Sequence, residues 1–303
     1  MKIIWPYLTD YKRHLNKRLL ALCICFIALL IFLNYKYGLE TWLTNLPGLP
    51  GAGVTGRILL FSLSFGLPYL LSSWFNDASY WKQPKFLLLF FTAVILFSLK
   101  SGFGPPASWF LPGNKNDYWD YILYWPSRLL LILGVLFLFY KKTDPSFFGL
   151  TWHSTPLRPY LYMLILMIPL VVFASTQADF LAMYPKLKVV LPYLEGSQNS
   201  GWKKFLFELA YGSDFIGIEV FFRGFLIFSF ARFAGRDAIL PMACFYCTIH
   251  FGKPLFECIS SFGGGLLLGI VSYHSRSVIG GLIVHLGIAW MMEGGGYLGN
   301  LLK

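Results

Sequence analysis

The chain has 303 residues, 56% hydrophobic and 19% aromatic, with only 13% charged and a mean hydropathy of +0.60. A soluble domain carries about 25% charged residues, so the composition excludes an ordinary soluble enzyme and points to an integral membrane protein. The net charge of +11 comes with no basic run interleaved with aromatics, which argues against nucleic acid as a partner and reads as topology and contact with anionic lipid.

Backbone groups in lipid must bond internally, so the fold is a helix bundle or a closed barrel. The apolar segments are continuous rather than alternating, which selects an all-α, polytopic transmembrane bundle of eight or nine helices. The first 18 residues are largely polar and basic and offer no small-residue cleavage site. The first apolar run, Leu19–Leu33, is therefore expected to stay as a membrane helix. Lys12, Arg13, Lys17 and Arg18 precede it, the pattern of a cytoplasmic flank. Further helices are expected at Ile58–Phe75, Phe86–Leu99, Tyr121–Tyr140, Tyr160–Ala174, Phe205–Phe230, Ile239–Phe251, Ser260–Tyr273 and Val278–Met292. Several fall short of the ~20 residues that span ~30 Å, which is acceptable where helices line a cavity.

Gly/Pro-rich turns are expected at Leu46–Gly53, Gly102–Asp117 and Glu195–Gly201. Tyr118, Trp119, Tyr121, Tyr124 and Trp125 crowd the start of the fourth helix, as an interfacial aromatic belt does. The connection Ala178–Lys204 carries Lys186, Lys188, Lys203 and Lys204 on the nominally outer side, so charge fixes the side of the N-terminus and little more. No internal repeat is visible, which weakens a transporter reading. A composition shift near residue 200 separates N-terminal transmembrane helices without an assigned role (1–200) from a motif-bearing core (201–303), within one integrated membrane domain. The five cysteines, Cys23, Cys25, Cys244, Cys247 and Cys258, read as free thiols packed as small hydrophobes.

Ionisable groups inside apolar runs carry the chemistry. Glu219 and Arg223 stand four residues apart among phenylalanines, hence on one helix face with the acid first. Each costs ~2.5–3.5 kcal/mol at mid-membrane; they either neutralise each other and pin helices, or work. His250 ends a second apolar run and His285 lies inside a third. Three helices of a bundle can aim such groups into one cavity. A Glu and two His suit a catalytic zinc with an open position; without metal they can activate water and stabilise an oxyanion. Glu208 and Asp214 read as helix-end acids, Glu257 as a loop residue and Glu293 as an interfacial charge.

The stretches "EVFFRGF", "YCTIHFG" and "GGGLLLGIVSYHSRSVIGGLIVHLGIAW" together resemble the CAAX protease and bacteriocin-processing enzyme family of intramembrane endopeptidases. That family carries EExxxR, FxxxH and HxxxN on successive helices. The resemblance covers about residues 205 to 293. It places Glu219 at the second Glu, Arg223 at the Arg, Tyr246 and His250 at the second motif, and His285 at the third. The first Glu, which the family assigns as the water-activating base, falls on Ile218, and the Asn falls on Ala289. One residue along a helix turns a side chain by about 100°, so Glu219 replaces that base only if the helix is rotated or unwound. Otherwise Glu219 remains a structural partner of Arg223; Gly212 and Gly217, with Asp214 between them, allow a break or re-entrant turn.

The resemblance implies a peptide hydrolase with catalytic Glu219, Arg223, His250 and His285. It implies either no cofactor or a zinc held by Glu219, His250 and His285. Its substrate would be a peptide or protein tail at the membrane, in the bacterial cytoplasmic membrane with the N-terminus cytoplasmic. The two departures carry the alternative: a catalytically inactive relative acting as a scaffold, an immunity factor or a subunit of a membrane complex.

Overall fold

In this computed structural model, residues 4–48, 51–109, 117–140, 146–152, 157–195 and 199–303 are described. Each of the three expected Gly/Pro turns lies partly outside them. The described residues are all-α, without a strand. In chain order they form α1 (Ile4–His14), α2 (Lys17–Tyr37), α3 (Leu39–Thr44), α4 (Ala52–Phe75), α5 (Pro84–Gly102), α6 (Asp117–Tyr140), α7 (Leu157–Ala174), α8 (Ala178–Met183) and α9 (Ser200–Glu219). A π-helical stretch, Val220–Leu226, follows, then α10 (Ile227–Ala234), α11 (Ile239–Thr248), α12 (Leu255–Ser275) and α13 (Ile279–Leu301).

Among the described residues, α2, α4, α5, α6, α7 and α12 are long and apolar enough to cross a membrane. The chain is an integral membrane protein. Of the other expected spans, Ile239–Phe251 yields a helix of 10 residues. The break that Gly212 and Gly217 would allow does not form: α9 runs unbroken to Glu219. Glu208 and Asp214 therefore sit within a helix rather than at its ends. Glu257 lies in the first turn of α12, not in a loop, with its carboxylate 2.6 Å from Lys253 Nζ.

Local chemistry sets the ends. Asn16 caps α2, its side chain accepting from the backbone N–H of Arg18 and Leu19, a contact worth about 1 kcal/mol. Gly38 closes the same helix in the left-handed region at φ 67°, where a β-carbon is strained.

The chain sorts into two compact units. The first comprises residues 1–102, 143–155 and 220–279. In lipid, apolar burial alone gives helices no reason to associate, so ring packing and close approach hold them. Phe65 stacks on Phe90 at 5.5 Å, and Phe97 meets Phe221 at 4.9 Å and Phe222 at 5.0 Å. Such pairs contribute about 0.5–1.5 kcal/mol each. They pin the π-helical stretch to α5. Asp10 of α1 is tied to Arg236 at 3.0 Å, and Ser72 of α4 donates to Asp237 at 3.0 Å.

The second unit comprises residues 103–142, 156–219 and 280–303. Its α6 lies along α9, with Tyr118, Ile122, Phe207 and Ala210 in one buried cluster. Aromatics at the start of α6 also pack within this unit. Tyr118 is buried, with its hydroxyl donating to the Lys203 carbonyl at 2.7 Å, and Trp125 packs edge-on against Phe207 and Tyr211. The five cysteines are free thiols; all but Cys25 are buried.

Candidate functional site

The polar groups singled out by spacing fall into two constellations, one in each unit. In the second unit, α9 delivers Glu219 at its last residue and α13 delivers His285. His285 Nδ1 lies 2.9 Å from Glu219 Oε1, a distance at which a ring N–H donates to a carboxylate. Glu219 is fully buried, and the His285 side chain is 14% exposed. Phe215, one turn before Glu219, sets its ring edge-on to the imidazole at 4.6 Å. A carboxylate so placed orients its histidine, with Nδ1 as the donor in this contact.

The two positions where the family has polar groups and this chain does not meet in one place. Ala289 is buried with Tyr211 and Phe215, and Ile218, Leu282, Leu286 and Trp125 pack against them. Ile218 and Ala289 thus share a single apolar cluster. Both positions are hydrocarbon, and they pack in the same apolar surroundings. Next to them along α9 and α13, Glu219 and His285 keep their polarity and pair with each other.

Glu293 is buried at 7% exposure and does not reach this pair's role. Its two carboxylate oxygens accept the backbone N–H of Lys186 at 2.8 Å and of Leu187 at 3.2 Å. It anchors the turn that follows α8.

In the first unit, Arg223 lies in the π-helical stretch and is fully buried. Its guanidinium stands 3.9 Å over the Tyr246 ring, a cation–π contact worth about 2 kcal/mol when desolvated. The Tyr246 carbonyl accepts from Nδ1 of His250 at 2.9 Å, and the two rings meet edge-on at 4.7 Å. A carbonyl only accepts, so Nδ1 carries a proton in this contact. His250 sits just past α11, in the turn closed by Gly252 at φ 76°. Gly224 is required here by close approach: a β-carbon there would lie 2.5 Å from the Phe148 carbonyl oxygen. π-helical turns are rare and recur at functional sites, and this one spans "VFFRGFL".

Among the described residues, no group of three or more His, Cys, Asp or Glu side chains is placed to hold a metal ion. The Glu219 oxygen and the His285 nitrogen that face each other are already engaged with each other. These residues do not fit a zinc as arranged, and no step is derived through one.

A polytopic α-helical membrane protein with paired buried ionisable groups defines a class, that of membrane-embedded helical proteins with polar chemistry inside the bundle. The comparisons narrow it. Residues 202–291 match the family model described as type II CAAX prenyl endopeptidase Rce1-like. That match is consistent with membership of the CAAX protease and bacteriocin-processing family. Comparison with curated proteins and with solved structures finds no match. The matched segment contains Glu219, Arg223, His250 and His285, the ionisable groups of the apolar runs, and Tyr246, which the resemblance alone pointed to. The Tyr246 contacts and the contact between Glu219 and His285, 66 residues apart, are new from the structure.

Proposed function

We propose that this chain is an intramembrane endopeptidase of the CAAX-protease type, hydrolysing a peptide or protein tail that reaches it from the bilayer or its surface. The observation that carries the proposal is the contact between Glu219 Oε1 and His285 Nδ1, buried within the segment that matches the family. In this reading Glu219 is the general base. Its carboxylate takes a proton from water, and the water oxygen attacks the scissile carbonyl carbon. The C–N bond then breaks as that proton passes to the departing nitrogen. His285 orients the carboxylate through its Nδ1–H. Arg223 and His250 enter on the motif correspondence, as groups that stabilise developing negative charge. The basic flank before α2 supports an N-terminus on the cytoplasmic side of the membrane.

The test is a comparison of newly formed peptide termini in membranes expressing the wild type and Glu219→Gln at equal abundance. A positioned acid–base group contributes about 10²–10⁴-fold. Termini that depend on the wild-type chain should therefore vanish in the variant. The same termini in both membranes would end the proposal.

A further inference from the structure

α13 opens with a pair of glycines, Gly280 and Gly281, whose bare faces look at different neighbours. A β-carbon at Gly280 would enter the Tyr160 ring, a packing contact. A β-carbon at Gly281 would stand 2.5 Å from Oε2 of Glu219 and 3.5 Å from its carboxyl carbon. The first of those distances lies well inside van der Waals contact, so the carboxylate can occupy its place only while residue 281 has no side chain. Gly281 and His285 are four residues apart on α13, hence neighbours on one helix face. The carboxylate is thus held between the imidazole, which takes Oε1, and the bare backbone one turn earlier, against which Oε2 rests. The backbone of Gly281 is ordinary helix, where alanine has the better intrinsic propensity. Clearance for Glu219, not conformational freedom, is what the glycine provides.

We infer that Gly281 is a positioning residue, fixing the Glu219 carboxylate against His285; the inference rests on the reading of Glu219 as the base. An added methyl must push the carboxylate away by about 1 Å to reach normal contact, and a misplacement of that size costs about 10²-fold in rate.

The experiment uses the full chain in lipid nanodiscs, labelled with ¹⁵N-histidine, and reads two quantities. One is the Nδ1–H resonance of His285, assigned by its loss in His285→Gln. The other is cleavage of peptides identified from the comparison of termini. Gly281→Ala is expected to shift or abolish that resonance and to lower cleavage about 10²-fold. Gly294→Ala, on the same helix where a β-carbon meets nothing within 4 Å, should leave both unchanged. Adding Glu219→Asp to Gly281→Ala draws the carboxylate back from the new methyl. It should restore the His285 resonance and part of the cleavage relative to Gly281→Ala alone. An unchanged resonance in Gly281→Ala overturns the inference. A changed resonance with wild-type cleavage leaves the positioning intact and removes Glu219 as the base. Should Gly281→Ala fail to accumulate, recovery of the double variant supports the contact, and its equal failure refutes it.

Discussion

Ile218 and Glu219 are adjacent, yet they face different chemistry. Ile218 packs with Tyr211, Phe215 and Ala289, whereas Glu219 meets His285. Restoring the family's acid as Ile218→Glu would place a carboxylate in a hydrocarbon cluster. Ile218 is half-buried against that cluster, so the variant should lose about 0.5–3 kcal/mol of stability and unfold at a lower temperature in detergent. Pairing it with Ala289→Asn supplies an amide donor within the same cluster and should recover part of the loss. Thermal unfolding of the single and double variants measures the coupling. Strict additivity would show that the two positions do not communicate. The pairing of Glu219 with His285 was only half legible in the sequence. Membrane cost marked both residues as consequential, and motif order placed them on different helices. Nothing in the spacing shows which acid meets which histidine, because that depends on how α9 and α13 pack.

At the scale of elements, hydropathy located the helices well where a span is long and uninterrupted, as in α2, α4, α5, α6, α7 and α12. It says less where tertiary packing decides. The aromatics at the start of α6 read as an interfacial belt, and Tyr118 and Trp125 also pack on α9, because the same rings suit a core as well as an interface. Glycines around Asp214 would allow a break, yet α9 continues through them. The irregularity falls later, in the π-helical stretch beginning at Val220. No local residue preference announces it. Gly224 sits where the Phe148 carbonyl approaches this stretch most closely, so Gly224→Ala should destabilise the chain by about 1–3 kcal/mol through overpacking. Urea or thermal unfolding of the purified protein checks this; a neutral effect would mean that the 146–149 segment yields without cost.

Across the whole molecule, the basic surface reports orientation. Lys12, Arg13, Lys17 and Arg18 are exposed at the end of α1 and the start of α2, where positive charge favours the cytoplasmic side. A cysteine replacing exposed Trp5, in a chain stripped of its native thiols, should react with a membrane-impermeant maleimide only from that side. Labelling from the opposite face would reverse the topology. The polar constellations then take their meaning from the membrane. Buried charge is costly there, and the chain keeps Glu219, Arg223, His250 and His285 while making its other motif positions apolar.

The most direct measurement is hydrolysis by the purified chain in nanodiscs, using peptides found from cellular termini, in water enriched in ¹⁸O. Wild-type protein should release fragments carrying ¹⁸O in the new carboxyl group, and Glu219→Gln should do so at least about 10²-fold more slowly. Equal rates from the two proteins would contradict the assignment of Glu219 as the group that activates water.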